Sequence, residues 1–284
     1  NFSLLENYIK KIQPHIIFHL AAQPIVSFSY TKPIETLEVN ILGSANLLIA
    51  AQNVKSVQAV INVTSDKCYQ NKDLGYSFKE TDRLGGTDPY SASKTCVEII
   101  NESFMKSFYK QKSIGLASVR AGNVIGGGDW GEHRIVPSVL KAIASSEEVQ
   151  LRYPNYLRPW QHVMEPLTGY TKLAEKLFNG PSQFSEPFNF GPNEENVVSV
   201  KELVTSIYAG FGLKSKYTVQ TLNEHPENKS LNLDSSKAHT RLDWVSKWNL
   251  NKTVRSIVTW YTEYSKGADM NVFTKNQIDH YLND

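Results

Sequence analysis

Three short, mostly apolar stretches constrain this chain more than any other feature: Ile16–Ala22, a run without polar alternation, Val57–Val63, a second strand of buried type, and Ile114–Arg120, read as a third strand. Half-exposed strands alternate polar with apolar residues, whereas unbroken runs belong to strands buried on both faces of a parallel sheet. Helical patterns separate them. Phe2–Ile12 repeats Phe2, Leu5, Ile9 and Ile12 on one face, and Pro14 ends it. Thr31-Lys32-Pro33 opens a long helix with Ile34, Leu37, Ile41, Ala45 and Leu48 as its expected stripe, and Ser91–Lys110 reads as another helix. Strand and helix in alternation predict βαβ units and a doubly wound α/β fold.

After Arg120 the pattern breaks. Gly122–Gly131 holds five glycines, and the helices predicted beyond it (Ile135–Ser145, Leu167–Phe178, Val200–Phe211, Leu250–Ser265) mix with short strands. A smaller, irregular α+β part is expected there, and 284 residues accommodate about two domains. A net charge of +2 gives no reason to expect nucleic acid or a charged membrane surface as a partner. No unbroken apolar run approaches the roughly 18–20 residues of a membrane span, and the first residues lack a basic segment followed by an apolar one. Two cysteines, Cys68 and Cys96, make no disulfide framework and suit a cytoplasmic protein.

Tyr90 and Lys94 stand at i and i+4 at the start of a predicted helix, and a nearby ammonium favours a phenolate. With 14 Tyr and 23 Lys in 284 residues, about one such spacing arises by chance, so the pair alone says little. Its place says more. Ser65-Asp66-Lys67 follows a predicted buried strand, and open α/β sheets bind ligands beyond the carboxyl ends of their strands. A hydroxyl, a carboxylate and an ammonium emerging there offer a donor, an acid and a base, although a solvated turn has the same composition. His15 and His19 lie too far apart along a strand to share a metal and read as buried or hydrogen-bonded. Gly126-Gly-Gly-Asp129 lacks the Lys-Ser/Thr of a phosphate loop and reads as a flexible turn. Asn62-Val-Thr64 fits a glycosylation pattern but falls in a strand. By residue type Arg158 and Trp160 read as a surface arginine beside a core tryptophan, although a charged fork and an aromatic plate also suit a phosphate and a ring.

In this order the pieces resemble the extended short-chain dehydrogenase/reductases, and within them the CDP-D-glucose 4,6-dehydratase family. The matching stretches include HLAAQP (19–24), INVTSDKCY (61–69), DPYSASK (88–94), VRAGNVIGGGDW (119–130), RIVPSVLKA (134–142) and RPWQHVMEPLTGY (158–170). The resemblance implies a Rossmann-like domain over 1–123, rejoined by the chain around 161–191, and a nucleotide-sugar domain over 124–284. It implies NAD as cofactor and CDP-glucose as substrate. Tyr90 would take the proton from the sugar 4-hydroxyl, Lys94 would support that tyrosine and the nicotinamide ribose, and Ser65 would bridge Tyr90 and O4. Asp66 would protonate the leaving C6 oxygen, and Lys67, where related dehydratases commonly carry Glu, would take the C5 proton. Ala21, Ala22 and Gln23 would lie along the cofactor, with Asn40 behind the site. Asn123, Arg134 and Arg158 would contact the diphosphate.

A homodimer or homotetramer through a four-helix bundle of Ile34–Gln52 and Tyr90–Lys110 is also implied. Ser27 stands where relatives carry Arg, and the stretch around His225 is shorter than usual. A glycine-rich turn expected ahead of Phe2–Ile12 is not in this sequence, so weak NAD binding by these 284 residues alone is expected. A 4-epimerase or another nucleotide-sugar dehydratase would need Tyr90 and Lys94, but an epimerase would not need Asp66-Lys67. A non-catalytic sensor would commonly lose the Tyr or the Lys.

Overall fold

The computed structural model describes residues 1–220 and 227–284, divided into two compact units. Unit 1 comprises Asn1–Ala121, Thr168–Phe190 and Leu233–Val245. Its four strands, β1 (Ile16–His19), β2 (Ala59–Val63), β3 (Gly115–Ala121) and β4 (Phe188–Phe190), lie side by side in that order and all parallel. The inner strands β2 and β3 are almost entirely buried, as expected for mostly apolar strands inside a parallel sheet. β1 departs from the expectation. It ends at His19, lies at the edge of the sheet, and leaves Phe18 40% exposed because the covering layer does not reach that side chain.

Three longer helices flank these strands: α1 (Phe2–Ile12), α2 (Pro33–Gln52) and α3 (Pro89–Phe104). α1 packs Phe2, Leu5 and Ile9 into a core with Leu48, Val60, Tyr109 and Leu116, while Ile12 remains exposed. α2 buries only part of the stripe read from the sequence: Leu48 is fully buried, while Leu37, Ile41 and Ala45 are half-buried. Its inward face is Thr36, Asn40 and Ser44, followed by Leu47, Leu48, Ala50 and Ala51, and Ile34 is 66% exposed. The helix also carries a wide turn at Glu38–Leu42, where the Gly43 N–H reaches back five residues to the Glu38 carbonyl. One extra residue in a turn rotates the rest of the helix relative to a regular pattern. By length and composition α2 is the one helix among the described residues that could cross a membrane. Its buried polar face is instead bonded into unit 1.

The described part of unit 2 lies within Gly122–Leu167, Gly191–Asn232 and Ser246–Asp284. Helices Ile135–Ser145, Val200–Gly210 and Leu250–Ser265 pack around Val136, Val139, Leu203, Ile207, Ile257 and Trp260. The glycine-rich segment is packed, which corrects the expected flexible turn. A Cβ at Gly127 would lie 2.2 Å from the Trp260 ring, and one at Gly126 would lie 2.9 Å from Val163. The chain's passage through unit 1 at 168–190 overlaps the return read from the sequence. A further passage, 233–245, was not suggested by the sequence; its Trp244 packs edge-on against Phe190 at 5.0 Å.

Candidate active site

The site in unit 1 is assembled at the carboxyl end of β2. Thr64 leaves the strand with its N–H on the Val119 carbonyl, and Ser65 caps a single tight turn, Asp66–Cys68. The Ser65 hydroxyl accepts from the Lys67 N–H at 3.2 Å and donates to Asp66 Oδ1 at 2.9 Å. Ser65 and Asp66 are buried, and Lys67 is half-buried. A serine followed by a carboxylate is the composition that caps such a turn, because its side-chain oxygens satisfy N–H groups the turn leaves unpaired.

α3 starts at Pro89, two residues ahead of the Ser91 read from the sequence. Asp88 caps it by accepting from the Ser91 N–H at 2.9 Å, and Pro89 fills the first helical position. Gly86 packs against this first turn, where a Cβ would lie 2.2 Å from the Ser91 backbone. Tyr90 and Lys94 follow one turn apart, and both are buried. The Tyr90 N–H, otherwise an orphan of the helix start, donates to Ser29 Oγ at 3.2 Å. Lys94 Nζ donates to the Val63 carbonyl at 3.1 Å, so the ammonium sits at the end of the strand that delivers Ser65. Burial lowers the Lys94 pKa to about 8, with Glu98 opposing that shift.

Asn40 joins the loop after β1 to this helix. Its Oδ1 accepts from the Gln23 N–H at 2.8 Å, and its Nδ2 donates to the Gln23 carbonyl and to Ser93 Oγ at 2.9 Å. Ser93 in turn donates to the Tyr90 carbonyl at 2.6 Å. The Gln23 side chain spends itself within the same loop, donating to Thr36 and accepting from the Ile25 N–H, while Ala21 is exposed and Ala22 half-buried. His19, at the end of β1, bonds Ser44 at 3.2 Å. Burial and then the Lys94 charge lower its pKa to about 4, so it is neutral near neutral pH. His15, expected to be buried or bonded, is exposed instead because it precedes the strand.

The other residues singled out belong to unit 2. Asn123 adopts a left-handed φ of 48°, and its carbonyl accepts from the Gln161 N–H. Arg134 is exposed and pairs with Asp129 at 3.3 Å. Arg158 is less exposed than a surface arginine, with 12% of its side chain accessible, because Glu227 accepts from it at 2.9 Å. Arg152 reaches the same carboxylate at 3.4 Å, so two guanidinium groups share one counter-charge. Trp160 is buried as expected. His225 lies outside the described residues.

A family model described as GDP-mannose 4,6 dehydratase matches residues 1–257. The chain belongs to this family. Within the 4,6-dehydratases, the CDP-glucose 4,6-dehydratase of Salmonella typhimurium is 41% identical over 287 residues, covering 99% of this chain and 80% of that relative. The solved UDP-glucose 4-epimerase of Thermotoga maritima superposes with a TM-score of 0.82 at 22% identity, covering 93% of this chain and 82% of that one. The dTDP-glucose 4,6-dehydratase of Streptomyces venezuelae, solved with NAD and TYD bound, gives 0.79 at 20% identity, covering 95% and 79%. Both structures share the Rossmann-like α/β fold of this dehydratase family member.

Four residues bonded around the candidate site were not singled out from the sequence: Tyr69, Glu98, Arg120 and Asn189. Signals existed for two of them. Glu98 continues the face of α3 that carries Tyr90 and Lys94, and Arg120 ends an otherwise apolar inner strand, where a charge demands a buried partner.

Proposed function

We propose that the protein removes water from CDP-D-glucose to give CDP-4-dehydro-6-deoxy-D-glucose, with NAD as its bound redox cofactor. One observation carries this reading: the Tyr90–Lys94 pair and the Ser65-Asp66-Lys67 turn meet at one strand end, with Lys94 bonded to Val63 two residues before Ser65. Identity to the Salmonella relative supplies the choice of nucleotide.

The residues suit the cofactor. Lys94 is a buried ammonium with three N–H bonds, of which the Val63 carbonyl takes one, leaving donors suited to ribose hydroxyls. Ala21, Ala22 and Gln23 lie in the loop beyond the carboxyl end of β1, the end of a parallel strand at which α/β folds hold such groups. When bound, NAD accepts hydrogen as hydride from sugar C4 and returns it to C6.

The chain's own groups move the protons. Tyr90 takes the proton of the 4-hydroxyl, and the Lys94 charge favours the phenolate that does so. Ser65 hydrogen-bonds O4; its single donor goes to Asp66 in the structure, so engaging O4 means giving up that bond. A carbonyl at C4 acidifies the C5 hydrogen. Lys67, in its neutral form, takes that proton, Asp66 protonates the C6 oxygen as it leaves as water, and C5 regains a proton, exchangeable with solvent, when hydride is returned to C6. Asn123, Arg134 and Arg158 are assigned to the diphosphate. The pair of guanidinium groups on Glu227 leaves net positive charge for it.

The exposed apolar residues Ile34, Val39 and Leu42 on α2 and Ile99 on α3 suit helix packing between two copies, as a dimer or tetramer. Two free thiols suit a cytoplasmic location. The test is a nucleotide swap: the full-length protein is given CDP-, dTDP-, UDP- and GDP-glucose in turn. The highest kcat/KM is expected with CDP-glucose, and preference for another nucleotide overturns the assignment.

A further inference from the structure

Charged side chains rarely enter a sheet interior, yet Arg120 and Glu98 are only 2% and 3% exposed in unit 1. Arg120 forks onto the carboxylate, Nε donating to Oε1 at 2.9 Å and Nη2 to Oε2 at 2.8 Å. Thr64 Oγ1 adds a bond to Oε1, and Ser118 Oγ adds one to Oε2 at 2.6 Å. Four donors therefore converge on Glu98. Burial raises the Glu98 pKa, but Arg120, Ser118 and Thr64 outweigh it and hold the carboxyl below its ordinary range. With its lone pairs committed, Glu98 is not spent on Lys94 one turn earlier, whose ammonium goes to Val63.

On its other side, Arg120 Nη1 donates to the Tyr69 hydroxyl at 2.7 Å, and its guanidinium lies 4.9 Å from the Tyr69 ring centre. The Tyr69 hydroxyl donates to Asn189 Oδ1 at 2.7 Å. Asn189 is fixed in turn, its Nδ2 donating to the Phe78 carbonyl and its N–H to Glu80. The network thus bonds the residue just before the Ser65–Cys68 turn, Thr64, and the residue just after it, Tyr69. Glu98 itself belongs to α3, which carries Tyr90 and Lys94.

We propose that the Glu98–Arg120 pair is a clamp that sets the position of the Ser65-Asp66-Lys67 turn relative to Tyr90 and Lys94. A buried ion pair is weak as a source of stability, so its bonds to both flanks of one turn are the informative feature. The inference rests on the dehydratase reading for its consequence, which is selective. Oxidation at C4 relies on α3, whereas loss of water relies on Asp66 and Lys67. Loosening the turn separates the two steps.

The test is the double variant Thr64→Val/Tyr69→Phe, which removes the side-chain hydroxyl and its bonds from each flank and leaves the ion pair in place. Loss of these charge-assisted bonds predicts elimination slowed about tenfold or more while C4 oxidation continues. Reduced cofactor then accumulates on the enzyme and is read by the near-ultraviolet absorbance of its nicotinamide. Hydrogen exchange of the amides of residues 65–69 should quicken by about tenfold, with the rest of unit 1 unchanged. Restoring the Thr64 hydroxyl by Thr64→Ser, within Tyr69→Phe, should reverse part of both effects.

Wild-type turnover with wild-type exchange overturns the clamp. So does a parallel loss of both steps with exchange rising throughout unit 1, since that describes general destabilisation. If the wild-type protein fails to dehydrate CDP-glucose, the dehydratase reading falls, and the exchange measurement still decides the clamp by itself.

Discussion

Replacing Arg120 by Met tests the energetics of the buried network directly. The side chain is 2% exposed, donates two bonds to Glu98 and one to Tyr69, and is the only cation in an ion pair with Glu98 among the described residues. Its removal strands a buried carboxylate. Removing one partner of such a pair costs about 3–5 kcal/mol, a large share of the roughly 5–15 kcal/mol that holds a protein folded. Adding Glu98→Gln removes the stranded charge while keeping an amide for Thr64 and Ser118. The double variant should therefore be about 2 kcal/mol more stable than Arg120→Met alone, although it has lost more of the native network.

The pH dependence has a defined sign. In the wild type the Glu98 pKa is held below its ordinary value of 4.5 by bonds that outweigh burial. Without Arg120 the burial effect dominates, and the folded carboxyl keeps its proton to a higher pH than the unfolded one. The folded state then binds more protons above the ordinary pKa, so the variant loses stability as pH rises. Urea unfolding of wild type, single and double variants at about pH 5 and about pH 8 measures this, with the single variant's deficit expected to be smaller at the lower pH. A deficit under about 1 kcal/mol, or a double variant as unstable as the single at both pH values, refutes the reasoning.

Two further outcomes follow from the geometry. Lys94, with its pKa lowered by burial to about 8, supports Tyr90 only while charged, so kcat/KM should fall above that pH. Lys94→Arg should move this limb to higher pH even if the maximum drops, and a limb unmoved by the substitution would assign it to another group. Gly127→Ala should cost about 1–3 kcal/mol in thermal unfolding, because its Cβ would lie 2.2 Å from the Trp260 ring; unchanged stability contradicts that packing.

The elements most legible in the sequence were those whose signal is local. The helix read at Ser91–Lys110 appears as α3 from Pro89, and Tyr90 and Lys94 stand out by their place in the βαβ order rather than by spacing alone. Val57–Val63 reads as an inner strand because it is mostly apolar, although pairing begins only at Ala59 and buried Asn62 interrupts the run. What failed depended on partners distant in sequence. The stripe of α2 is inward only in part, because Thr36, Asn40 and Ser44 are buried by hydrogen bonds to Gln23, Ser93 and His19, partners outside the helix. The glycines at 126–128 read as freedom, whereas Trp260, more than a hundred residues away, makes at least Gly127 a packing requirement. The candidate site was only half legible. Ser65-Asp66-Lys67 drew attention by its chemistry, while the Glu98–Arg120 pair behind it emerges only when two strands and a helix are brought together.

The most direct test follows one hydrogen through the reaction. CDP-glucose deuterated at sugar C4 is given with NAD to the full-length protein in ordinary water, and the product is examined by mass spectrometry and NMR. The account predicts a 4-keto-6-deoxy sugar lighter by one water, with the deuterium transferred to C6 and a solvent hydrogen at C5. A CDP-hexose epimerised at C4 with deuterium still at that carbon, or a dehydrated product whose deuterium has gone to solvent, would contradict it.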